Sequence, residues 1–220
     1  QMKMNMLATG VYAKTHGLSL SSGIPEERMR AVNGCKRNID YAASMGCGII
    51  IGFLKGGPGR DREVSERLFL ESMLELKPYI EEKKVQVLIE ATNHKEASII
   101  RTLKEGAHVI NFLDCPFIQL LADTYHMNIE EPSLVDSLSE YMNYYPHLHI
   151  SDDNRAYPGL GSLDFTAIYR KLMECGYKGT VAVEGNIQHG LLEDTQICAA
   201  YLHKMCSGLH TPSRVPSHAV

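Results

Sequence analysis

Tryptophan is absent from the 220 residues, and aromatic side chains make up only 7% of them. Like-charge runs are missing too. Lys and Arg total 22 against 26 Asp and Glu, a net charge of −4. Without a basic stripe the chain carries no electrostatic footprint for DNA or RNA, so a nucleic-acid partner is excluded. No apolar run approaches the roughly 20 residues of a membrane-spanning helix, so no membrane partner is expected. The stretch around Met4 and Met6 shows no apolar segment followed by a cleavage site, so no secretory signal is read there. The six cysteines include no C-x-x-C pair. Scattered through apolar segments, they read as reduced, buried thiols of a cytoplasmic protein rather than as a disulfide framework.

What the chain does have is an alternation. Short apolar runs at 4–9, 48–53, 85–90, 117–123, 147–150 and 180–184 have strand character. Each is followed by a longer segment of helical period, at about 25–46, 61–83, 96–113, 132–145, 164–175 and 191–207. Pro25 with Glu26 and Glu27 suits a first helical turn. Gly46 and Gly176 suit helix ends, and Asp164 and Asn128 suit caps. Near-continuous apolar strands alternating with helices predict a parallel sheet covered by helices, in six βα units. The spacing predicts one domain over 1–206 and a C-terminal tail over 207–220.

Four of the apolar runs carry a charged or imidazole residue at or one short of their end: Glu90, Asp123, His149 and Glu184. The steps between them, 33, 26 and 35 residues, are each about one βα unit. Taken singly, an acidic residue at a strand end is most often a helix cap or a solvated loop residue. Four in succession would converge at the C-terminal face, where α/β barrels keep their active sites. Three clustered carboxylates repel one another unless a cation joins them. Two Glu, one Asp and one His suit a single divalent ion, Mn²⁺ first, with Mg²⁺, Co²⁺ or Zn²⁺ as alternatives.

Local strings sharpen this reading. Asp123-Thr-Tyr-His126-Met-Asn-Ile-Glu130-Glu131 puts a second imidazole three residues beyond the Asp. His149-Ile-Ser-Asp152-Asp-Asn-Arg155-Ala-Tyr-Pro158-Gly159-Leu-Gly161 follows its strand with a Pro-Gly turn that would aim Arg155 back over the site. Another carboxylate, Glu96, lies six residues beyond Glu90. The strings resemble those of the ketose 3-epimerases, the tagatose/psicose 3-epimerase group of the xylose-isomerase-like TIM-barrel superfamily, from about residue 5 to about 205. The resemblance implies a TIM (β/α)8-type barrel whose first two βα units are lacking here, since the first run looks like the family's third strand. It implies Glu90, Asp123, His149 and Glu184 as metal ligands, and Glu90 and Glu184 also as the acid/base pair. It implies that His126, Arg155 and Glu96 contact substrate. His147 is expected to point the other way along its strand and to be structural.

The resemblance implies a metal-dependent isomerase that epimerises a ketose at C3 through a cis-enediolate. The substrate would be a small sugar or sugar phosphate, and a homo-oligomer, dimer or tetramer, is common in the group. A hydroxypyruvate isomerase, an inosose dehydratase and a truncated, non-catalytic barrel scaffold are the alternatives. The endonuclease IV branch is disfavoured by the acidic balance and by too few His and Asp for a three-metal cluster. Lys55-Gly56-Gly57-Pro58-Gly59-Arg60 reads first as a plain turn and second as a phosphate cradle. His16, His94 and His189 read as solvated loop residues, and Met2, Met4 and Met6 as strand packing.

Overall fold

A computed structural model describes residues 3–209. Six parallel strands run in sequence order: β1 (Met6–Ala8), β2 (Gly48–Ile51), β3 (Val87–Glu90), β4 (Ile118–Asp123), β5 (His147–Ile150) and β6 (Thr180–Val183). Each strand pairs only with its neighbours in the chain, and the sheet curls into an incomplete α/β barrel. The helices are α1 (Gly10–His16), α2 (Pro25–Met45), α3 (Arg62–Lys83), α4 (Leu103–Leu113), α5 (Thr124–Glu130), α6 (Leu134–Glu140), α7 (Phe165–Glu174) and α8 (Leu191–Leu209). The tail expected from 207 begins inside α8, which runs on to Leu209, and the rest of it lies outside the described residues.

Alternation along each strand sorts the side chains into two sets. Ile49, Ile51, Val87, Ile89, Ile118, Leu120, Leu148 and Ile150 face the helices and form one continuous core with Phe69, Met73, Leu76 and Phe165. Each such side chain, fully buried, contributes about 1.5–3 kcal/mol. The opposite face holds a small apolar plug of Ile50, Leu88, Leu121 and Met6. Above this plug, toward the C-terminal ends of the strands, the same face turns polar. That change of polarity positions the site.

The helix signals in the sequence work as expected at several ends. Pro25 opens α2, and Gly46 closes it with φ +65°. Asp61 accepts the Val64 N–H at the start of α3, and Asp164 accepts that of Ala167 at the start of α7. Asn128 caps nothing: it lies inside α5, whose N-cap is Asp123, the last residue of β4. α4 begins at Leu103 rather than at 96, because 91–102 form a loop, closed on itself by the Thr92 N–H donating to the Ile100 carbonyl. The Thr102 hydroxyl caps α4 by accepting the Glu105 N–H.

β1 and β6 are the two ends of the sheet. Among the described residues, a single long hydrogen bond of 3.4 Å, from Asn5 Nδ2 to Thr180 Oγ1, spans between their ends. Val181 and Val183, on the helix-facing side of β6, are 38% and 41% exposed, whereas the equivalent residues of β2 to β5 are buried. Among the described residues the sheet therefore has two open edges, β1 and β6.

Candidate functional site

Glu90 and Asp123 are the last residues of β3 and β4, His149 is the third residue of β5, and Glu184 directly follows β6. Parallel register sets Asp123 opposite His149 and Glu90 opposite Leu121. All four side chains leave the same face, and one donor atom from each lies within 4.8 Å of the others. Glu90, Asp123 and His149 are buried, while the Glu184 side chain is 41% exposed at the mouth.

His147 departs from expectation. Residues two apart on a strand share a face, so the His147 ring lies beside that of His149, edge to face, with centroids 5.1 Å apart. It sits one layer deeper and hydrogen-bonds Thr180 Oγ1. Burial holds it neutral, down to about 4.

The hydrogen bonds of the cluster are uneven. Asp123 uses Oδ1 to cap α5, accepting from the Tyr125 and His126 N–H groups, and Oδ2 to accept from Arg155 Nη1 at 2.6 Å. Glu184 Oε2 accepts from His149 Nδ1 at 2.7 Å and from Arg155 Nη2 at 2.8 Å. Glu90 Oε1 is buried and has no hydrogen-bond partner. It lies 3.9 Å from His149 Nδ1 and 4.0 Å from His126 Nε2. A buried carboxylate oxygen left unpaired is costly, which indicates that this position is built for something else.

Electrostatics follow from these contacts. Burial, then the charges of Asp123 and Glu184, push the Glu90 carboxyl up to about 8. Burial also raises Asp123, against the pull of Arg155. Burial works the same way on Glu184, but the His149 hydrogen bond and the Arg155 charge hold it down at about 2. His149 is lifted above its usual value: burial opposes its charged form, and the hydrogen bond to Glu184 outweighs this. A divalent cation matches this environment. It would give the orphaned Glu90 oxygen a partner and relieve the repulsion among three carboxylates, and the O₃N donor set suits such an ion.

Arg155 comes from the loop after β5 and has a left-handed backbone, φ +63°. Asp152, buried, holds that loop. Its carboxylate accepts the N–H groups of Asp153, Gly159, Gly161 and Leu163. A Cβ at Gly161 would come within 2.5 Å of Asp152 Oδ1, so only glycine lets the loop close around that carboxylate. The Arg155 guanidinium also stacks over Tyr125, 5.0 Å from the ring centroid.

His126 is buried on the other side, where burial and the Arg155 charge lower it to about 3. The Asn93 backbone N–H donates to its Nδ1 at 3.3 Å, and the Asn93 side-chain amide lies 2.8 Å from the same atom. Nδ1 is thereby the acceptor, and the neutral ring presents Nε2–H toward Glu90. Glu96 stands apart. It is exposed in the turn beyond Asn93, outside the four-residue cluster.

Three contributors escaped the sequence reading. Asn93, which sets the His126 tautomer, and Asp152, which holds the Arg155 loop, both lie in strings that drew notice for other residues. The third is Lys55, in the string read first as a plain turn and second as a phosphate cradle. Its side chain instead turns inward and is fully buried. Its ammonium donates to the Glu90 carbonyl at 2.9 Å and to Thr92 Oγ1 at 2.5 Å. His94 and His189 are half-exposed, as expected, but each is oriented by a carboxylate, Glu130 and Asp194 respectively.

The pattern of the xylose isomerase-like TIM barrel family matches residues 2–200, and the chain belongs to that family. Over 102 residues it is 37% identical to the 3-dehydro-D-guloside 4-epimerase of Escherichia coli K12, covering 46% of this chain and 39% of that enzyme. Over 191 residues it is 27% identical to the D-psicose 3-epimerase of Enterocloster bolteae, covering 84% of this chain and 64% of that enzyme. The crystal structure of the E. coli 3-keto-D-glucoside 4-epimerase superposes with a TM-score of 0.81 at 23% identity, covering 94% of this chain and 80% of that one. The chain thus spans less than two thirds of the length of these curated relatives.

Proposed function

We propose that this chain carries the acid–base centre of a divalent-metal-dependent epimerase acting at a carbon beside a sugar ketone. The observation that carries this reading is the orphaned, buried Glu90 Oε1 among four donor groups that lie within 4.8 Å of one another. Glu90, Asp123, His149 and Glu184 would hold the ion, manganese by preference for an oxygen-rich set. The ion would supply Lewis-acid polarisation of the ketone oxygen.

The chain's own residues then divide the work. Glu90 and Glu184 come from strands three positions apart in the sheet. A substrate lying between them has a carboxyl on each side of its carbon. One carboxylate takes the proton and the other returns one to the opposite face, which inverts the centre. Arg155 and the Nε2–H of His126 donate to the oxygen on which negative charge accumulates, and both are preorganised by Asp152 and Asn93. Glu96 is assigned a substrate hydroxyl at the mouth. In a ketose this chemistry is epimerisation at C3. The same proton shuttle beside a keto group would serve the 4-epimerisation of a keto-glycoside, which the 37% identity to the E. coli enzyme favours as a second reading.

The test is solvent deuterium incorporation in a panel of ketoses and keto-glycosides with Mn²⁺. The protein should place deuterium on the carbon beside the carbonyl. Glu90→Gln and Glu184→Gln should each lose about 10²–10⁴-fold in turnover while keeping the fold. Near-unchanged turnover in either variant refutes the two-carboxylate scheme.

A further inference from the structure

Among the described residues, Lys55 is the one buried cation that the proposed chemistry does not use. It sits in the short 3₁₀ turn Phe53–Lys55 after β2, and its side chain is completely shielded from water. Burying an ammonium is expensive unless it is paired with a countercharge. Yet among the described residues no carboxylate oxygen lies within 4 Å of Nζ. Its contacts are the backbone carbonyl of Glu90 and the hydroxyl of Thr92. Both belong to the segment in which β3 ends and the loop carrying Asn93 begins. A lysine that only filled space would be replaced at less cost by methionine. This one spends its donors on the residue whose carboxylate the site depends on.

The neighbouring backbone points the same way. Glu90 Oε2 passes so close to Gly52 that a Cβ there would lie 2.3 Å away. The carboxylate is therefore confined from the β2 side by Gly52, while its main chain is tethered from the same side by Lys55, three residues on. We infer that Lys55 is a positioning residue for Glu90: its ammonium ties the end of β3 to the β2 turn and so fixes the aim of the carboxylate into the four-residue cluster. This rests on the reading of that cluster as a metal site.

The test is Lys55→Met, which keeps the length and loses the donors, titrated calorimetrically with Mn²⁺ alone. Co²⁺ absorption serves as a second readout of ligand geometry. Removing a residue that orients a metal ligand costs about 10–100-fold in metal affinity. We expect a loss of that size with an altered Co²⁺ spectrum, on protein that still unfolds cooperatively. Thr92→Val, which removes the other anchor of the ammonium, should shift both readouts in the same direction by less. It also carries the test if Lys55→Met does not fold. Loss of charge alone would tighten Mn²⁺ binding, because a cation would be gone from behind the site. Tighter binding, or unchanged affinity and spectrum, overturns the assignment. If the unsubstituted protein binds no Mn²⁺, the metal-site reading itself fails. If it binds and both variants match it, only the role of Lys55 fails.

Discussion

Replacing Arg155 by methionine isolates the strongest electrostatic contact of the site. The guanidinium reaches Asp123 Oδ2 at 2.6 Å and Glu184 Oε2 at 2.8 Å. Asp123 is fully buried, so without Arg155 it becomes a buried charge with one oxygen unpaired. Breaking such a pair costs about 3–5 kcal/mol. The Glu184 arm is 41% exposed and is discounted to at most about 1 kcal/mol. At roughly 2–4 °C per kcal/mol for a chain of this size, the two arms together should make the metal-free variant melt roughly 6–24 °C below the unsubstituted protein. Manganese should change the comparison. It stabilises the folded state through linkage, by about 2.7 kcal/mol at a hundredfold excess over Kd. In Arg155→Met the ion also supplies the countercharge that Asp123 has lost. The melting gap should therefore shrink by about half or more in saturating Mn²⁺. Thermal unfolding by circular dichroism, with and without the ion, gives all four values. An equal gap in both conditions would refute the claim that guanidinium and cation answer to the same carboxylates.

Gly52→Ala should force Glu90 aside, because the added Cβ would lie 2.3 Å from Oε2 and Gly52 has an ordinary negative φ, −96°. The expected cost is about 1–3 kcal/mol of stability, with Mn²⁺ affinity down at least about tenfold by calorimetry. Unchanged affinity would mean that Glu90 is not held where the structure has it. Binding should also release protons. A raised carboxyl keeps its proton below its shifted value, and Glu90 is pushed up to about 8. At neutral pH the ion must displace that proton, so Mn²⁺ affinity should climb as pH rises toward 8. Calorimetry in two buffers of different ionisation enthalpy should find at least about one proton released per ion at pH 7, from Glu90 and from the charged fraction of His149, falling off above pH 8. No release would contradict the assignment of Glu90 as a ligand.

The strand ends were the most legible feature of the sequence, and the reason is geometric. Parallel strands bring their C-terminal ends to one end of the barrel, so Glu90, Asp123, His149 and Glu184, each at or beside such an end, could be grouped from spacing alone. Their partners were not legible because they act through backbone atoms or across loops. Asp152 binds four backbone N–H groups, and Lys55 binds a carbonyl 35 positions away, a pairing that no periodicity encodes. α1 and α5 are only seven residues each, too short for a helical period to show. Asn128 is polar inside α5 because the cap had already been supplied by Asp123. The orientation of His147 was available from strand alternation, which sets it on the face of His149. The count of six βα units was legible, and the open edges at β1 and β6 follow from it, with the exposed Val181 and Val183 marking one of them.

Anomalous diffraction at the manganese edge, from crystals grown with Mn²⁺, is the decisive measurement. One peak should lie at bonding distance from Glu90, Asp123, His149 and Glu184, with Glu90 Oε1 among its ligands. A peak elsewhere, or none at saturating ion, would contradict the metal-site reading.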